Sequence, residues 1–143
     1  MKKFVALGAI IAVAASASAA FAVSQATVWT AALSSSQEIP KQVVKDAAAH
    51  GLFKGTLTGS TLKWKLTFAK LTGQATAAHI HLGAMGKSGN VVVPLCGPCK
   101  SGQSGSATLT AALKADFNKH LLYVNVHTAK NAGGEIRGQL AAG

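Results

Sequence analysis

The run Ala78-His79-Ile80-His81-Leu82 sets two imidazoles one residue apart in an apolar stretch. In a strand, side chains alternate between faces, so Ile80 and Leu82 take one face and His79 and His81 share the other. Two imidazoles side by side are a costly arrangement unless solvent, a partner or a metal ion takes their nitrogens. A third histidine, His127, stands near the end of Tyr123-Val124-Asn125-Val126-His127-Thr128. Imidazoles suit Cu(II), Zn and Ni, and three nitrogens together favour copper by the Irving–Williams order. The expectation is a metal site of His79, His81 and His127 for copper (or zinc), with Asn125 and Glu135 behind the ligands. The plainer alternative is that these histidines only bond neighbouring backbone beneath a loop, or end a strand. His50 and His120 have no such context and are expected on the surface.

Other reactive residues are sparse. Cys96-Gly97-Pro98-Cys99 has the spacing of a thiol redox centre, which requires its first cysteine at a helix N-terminus. Lys100-Ser101-Gly102-Gln103-Ser104-Gly105 follows instead, a loop composition, so Cys96 and Cys99 are expected to form a small loop-closing disulfide, or to be spare thiolate ligands, before a thiol redox centre. Glu38 is one of only four acids, and Arg137 is the sole arginine. A structural ion pair, Glu38–Arg137 or Glu135–Arg137, is expected. No Ser/His/Asp order, no paired carboxylates and no phosphate-cradling glycine loop in a strand–helix context is found, so a non-enzymatic protein is expected.

These residues must be positioned by short β-type runs separated by Gly, Ser and Asn. Leu62, Trp64, Leu66 and Phe68 alternate with Lys63, Lys65 and Thr67, predicting a strand with one buried face, paired as a hairpin with residues 51–57. Runs at 26–33, 75–82, 91–95, 106–109, 121–128 and 135–140 read as strands. Residues 111–117 read as a helix of one or two turns, and 43–49 are ambiguous. Seven or eight short strands with at most one short helix predict an all-β, antiparallel β-sandwich. The last two strands fix a register: the loop 129–133 pairs 127 with 135, 125 with 137 and 123 with 139. His127 then lies opposite Glu135, where a carboxylate can orient an imidazole.

The 143 residues suffice for one domain. Lys2 and Lys3, the apolar stretch 4–15 and Ala17-Ser18-Ala19 or Ala20-Phe21-Ala22 form the three regions of a secretory signal peptide, so 1–22 is expected to be removed and 23–143 to be the domain. The segment is too short for a stable membrane span, and no later one is long enough. A secreted or periplasmic location is expected. Without Lys2 and Lys3, twelve basic side chains face four acidic ones, a net charge near +8. That balance favours anionic envelope or extracellular polymers. The lysines are scattered and few aromatics look exposed, which argues against a dedicated nucleic-acid site. A structural or adhesive protein with this basic surface and no metal is the competing class.

Four segments together resemble one family, the CHRD domain, named for its occurrence in chordin. They are Leu33-Ser34-Ser35-Ser36-Gln37-Glu38-Ile39-Pro40, Ala78-His79-Ile80-His81-Leu82-Gly83, Gly89-Asn90-Val91-Val92-Val93-Pro94-Leu95, and the pair 123–128 with 133–140. The chain departs from the family pattern at Lys41, where a second proline is usual, and at Asn131-Ala132-Gly133-Gly134, where Asn-Pro-Gly-Gly is usual. The resemblance implies an exported β-rich domain with no established enzymatic activity, and some bacterial relatives are linked to copper handling.

Overall fold

The computed structural model describes residues 24–41 and 48–143. The expected signal segment and most of the ambiguous stretch 43–49 lie outside the described residues. Within them the chain forms β1 (Thr27–Ser34), β2 (His50–Thr58), β3 (Thr61–Ala69), β4 (Ala75–Leu82), β5 (Val91–Cys96), β6 (Gln103–Thr108), α1 (Ala111–Asn118), β7 (Leu122–Thr128), β8 (Ile136–Gln139) and β9 (Ala141–Ala142), with a 3-10 turn at Ser35–Gln37. The strands run β5-β4-β7-β8-β1-β2-β3-β6 in one antiparallel, nearly closed sheet, and β9 pairs with β1. The expected all-β, sandwich-like class with one helix is what forms. The additional strand, β9, carries the last strand past Leu140 onto Trp29 and Thr30.

The alternation in β3 is realised: Leu62, Trp64 and Leu66 are buried and Phe68 is half-buried, while Lys63, Lys65 and Thr67 face out. Its hairpin with β2 closes through Gly59-Ser60, where Thr58 pairs with Thr61. Gly59 has φ +62, the value a two-residue turn of type II′ needs at its first central position. β6 begins three residues earlier than the apolar pattern indicates. Its small residues are required there, because a Cβ on Gly105 would stand 2.4 Å from the Trp64 ring.

The core is continuous from Trp29, Ala31 and Leu33 through Phe53, Leu62 and Leu66 to Ile80, Val124, Val126 and Ile136. Helix α1 starts at Thr110, whose hydroxyl accepts from the Leu113 amide (3.2 Å), a side-chain N-cap. It plugs one end of the sheet with Phe117, whose ring meets Trp29 edge-on at 5.1 Å. Cys96 and Cys99 form a disulfide, S–S 2.10 Å, closing the loop that leaves β5.

Candidate metal centre

Strands β4 and β7 are neighbours, with His79 paired to Asn125, His81 to Tyr123 and Ala77 to His127. Ala78 and Ile80 on β4 and Val124 and Val126 on β7 point into the core, so the alternate residues project from the opposite face. Two loops, 83–90 and 129–134, roof that face. His81 and His127 are buried beneath them and His79 is half-buried.

The three imidazoles converge. Ring centroids are 4.9 Å apart for His79 and His127, 5.6 Å for His79 and His81, and 5.7 Å for His81 and His127. One nitrogen from each ring lies within 4.8 Å of the other two. The loops fix the tautomers. A carbonyl oxygen only accepts, so His81 Nδ1–H donates to Gly89 (3.0 Å) and His127 Nδ1–H donates to Ala132 (3.0 Å). Each neutral ring therefore turns an Nε2 lone pair inward. No protein group among the described residues bonds the buried His81 Nε2. His127 Nε2 stands 3.1 Å from His79 Nδ1.

Burial holds all three imidazoles below the usual histidine pKa. His79 is lowered further by His127 and His81, and His127 by His81. His81 is lowered further by Arg137, with its Gly89 bond opposing. Proton loss precedes metal binding at any imidazole, so a depressed pKa keeps the rings ready as ligands near neutral pH.

The supporting residues differ from expectation. Glu135 does not orient His127. The expected register does form, with Tyr123 opposite Gln139, Asn125 opposite Arg137 and Val126 opposite Ile136, but the ladder ends there. Gly134 adopts φ +129, and the Glu135 carboxylate turns to the Thr128 side of β7. There it accepts from the Thr128 hydroxyl (2.6 Å), the Thr72 amide (2.6 Å) and hydroxyl (2.8 Å), and Asn131 Nδ2 (3.1 Å). Burial alone would raise this carboxyl, but these bonds outweigh it and hold its pKa below the usual range.

Arg137 likewise forms no direct ion pair with Glu38 or Glu135 among the described residues. Its guanidinium lies 3.5 Å from the Tyr123 ring centroid and donates to the carbonyls of Lys87 (2.7 Å) and Ala84 (3.4 Å). It is used to pin the roofing loop. Glu38 is 2% exposed and accepts from Asn125 Nδ2 (3.4 Å). Burial pushes its pKa up to about 7, against the pull of Asn125 and of Arg137 at longer range. Asn125 thus links Glu38 to the sheet, and His50 and His120 are exposed, remote from the cluster.

Tyr123 is the site residue that sequence reasoning missed. Its ring stacks on His81 (4.9 Å, 13°) and its hydroxyl accepts from the Gly89 amide (3.1 Å). The signal was its place opposite His81, visible only once β4 is paired with β7.

A family model described as CHRD domain matches residues 29–140. No curated protein and no solved structure matches the chain.

Proposed function

The chain belongs to the CHRD domain family, and from that premise we propose that it is an exported, non-enzymatic protein that binds one transition-metal ion, copper(II) before zinc, through His79, His81 and His127. One observation carries the reading. Two of the three rings have Nδ1 committed to a backbone carbonyl, which leaves both Nε2 lone pairs to the cluster, that of His127 3.1 Å from His79 Nδ1 and that of His81 buried with no protein partner among the described residues. Histidine ligands characteristically donate their second nitrogen to such a partner, which fixes ring and tautomer. Two nitrogens bonded to one ion at about 2.0 Å stand at most about 4 Å apart. Ligands at tetrahedral angles stand about 3.3 Å apart, so the cluster's nitrogens, all within 4.8 Å of one another, close by up to about 1.5 Å on one ion.

A binding role is favoured over catalysis because no carboxylate among the described residues joins the cluster: Glu135 is turned away and held by four hydrogen bonds. Copper is favoured because the donors are all imidazoles. Export is supported by the signal-type N-terminus and by the Cys96–Cys99 disulfide, a bond that persists in oxidising compartments. Among the described residues no helix is long and apolar enough to cross a membrane.

Calorimetric titration with Cu(II) tests the site. One-site binding is expected, with nitrogen hyperfine structure in the electron paramagnetic resonance spectrum. The doubly substituted His79→Ala, His127→Ala protein should bind more than about 100-fold more weakly, beyond the usual cost of losing a ligand's supporting group. Weak multi-site binding that the substitutions leave unchanged would refute the reading.

A further inference from the structure

The outer face of β2, β3 and β6 has a composition that neither the fold nor the histidine cluster explains. The register sets Lys54 directly opposite Lys65, with Ser104 beyond it, and sets Thr56 opposite Lys63, with Ser106 beyond it. Leu52 and Thr67 complete the next rung. The three lysines, Thr67, Ser104 and Ser106 are exposed, and these residues line an open trough of about 710 Å³. The described acids, Glu38, Asp116 and Glu135, all lie on other elements, so no Asp or Glu among the described residues stands on this face. Two cations directly opposite across an antiparallel pair destabilise a sheet. Here a third, Lys63, stands two residues from Lys65 on the same face.

We propose that this trough binds an anionic polysaccharide, its carboxylate or sulfate groups seated on Lys54, Lys63 and Lys65 and its hydroxyls on the flanking Thr and Ser side chains. Charge complementarity supplies the attraction. The hydroxyl-bearing rungs suit a sugar chain, which is read by hydrogen bonds. Among the described residues the one aromatic ring lining the trough, Trp64, is 6% exposed and offers no stacking platform for bases. The site is separate from the histidine cluster and does not depend on metal binding.

The test measures affinity of the purified protein for dextran sulfate and polygalacturonate, with neutral dextran as control. Single-stranded DNA and phosphatidylserine vesicles are run beside them. The Lys54→Ala, Lys63→Ala, Lys65→Ala protein is compared with Lys100→Ala, Lys114→Ala, Lys119→Ala, which loses the same charge elsewhere. The trough variant should bind at least one acidic polysaccharide about ten-fold more weakly, and the salt dependence should flatten by up to about three charges' worth. The control variant should stay within about two-fold, and relieving the like-charge pair should leave the trough variant melting no lower than the parent. Equal losses in both variants would reduce the effect to net charge and overturn the proposal. So would binding of neither polysaccharide, or tighter binding of DNA or vesicles through the same lysines. Comparing carboxylated with sulfated polymer identifies the anionic group. The protein lacking His79 and His127 should bind polysaccharide as the parent does.

Discussion

At the scale of single residues, ionisation at the cluster and at Glu38 pulls stability in opposite directions. The three histidines titrate below their ordinary value, so the unfolded chain takes up protons first as pH falls below about 6.5. They withdraw stability on acidification. Glu38 behaves inversely. Its carboxyl is raised from 4.5 to about 7, so between those values the folded protein keeps a proton that the unfolded chain has released. Its contribution to stability therefore falls as pH rises through that window, by up to about 3 kcal/mol for a shift of this size. Glu38→Gln keeps a polar side chain of the same size that cannot ionise. Urea unfolding should show the variant gaining on the parent steadily between pH 4.5 and pH 7; a difference independent of pH would contradict the buried, protonatable carboxyl. The depressed histidines also govern proton release. Cu(II) titrations at pH 7.5 in buffers of different ionisation enthalpy should give nearly equal heats, since neutral rings have no proton to shed. The heats should diverge only in acid, once the pH falls far enough for the free protein's rings to be protonated and to give up protons on binding.

At the scale of elements, the cluster depends on its two roofing loops as much as on its strands. Loop 83–90 turns back so tightly that a Cβ on Gly89 would run into the Leu82 carbonyl oxygen. The same residue accepts from His81 Nδ1–H and donates its amide to Tyr123. Gly89→Ala should displace the loop and lower Cu(II) affinity by roughly 10- to 100-fold, the usual cost of losing the hydrogen-bond partner that orients a metal ligand. Substitution of the open Gly73, which has no atom within 4 Å of a Cβ, should leave affinity unchanged. Loop 129–134 is anchored by Glu135, whose carboxylate joins Thr72, Thr128 and Asn131. Glu135→Ala leaves several buried donors unpaired and should cost about 2–4 kcal/mol by thermal or urea unfolding. It should also weaken copper binding through the Ala132 carbonyl, whereas a variant that melts lower yet binds copper like the parent would sever the loop from the site.

At the scale of the whole molecule, what was legible follows from what each signal encodes. Alternation in β3 and in β7 with β8 marks the strands and their faces, and the pairing of 123 with 139 and of 125 with 137, because a one-residue slip exchanges the two faces. The His-x-His spacing likewise placed His79 and His81 together. Convergence with His127 needed the β4–β7 pairing, which lies 48 residues apart in the chain for His79 and His127 and has no local signature. The Glu135 side chain was misplaced because alternation was carried one residue past the point where Gly134, at φ +129, ends the ladder. β6 was placed late because its small polar residues answer to Trp64, a long-range constraint. The sheet order also decides whether the two sites communicate. Between β7 and β2 lie β8 and β1, so three strand spacings, about 14 Å along the sheet, separate histidines from lysines. At 0.15 M salt the Debye length is about 8 Å, so charge added at one site is largely screened from the other. Saturating the cluster with Cu(II) should therefore change acidic-polysaccharide affinity by less than about two-fold at that ionic strength. Combining the histidine and lysine substitutions should give effects that add within about 0.5 kcal/mol, as for distant independent sites. A larger coupling would mean that the loops over β4 and β7 move with the β2–β3 hairpin, and that one rigid sheet does not describe this protein.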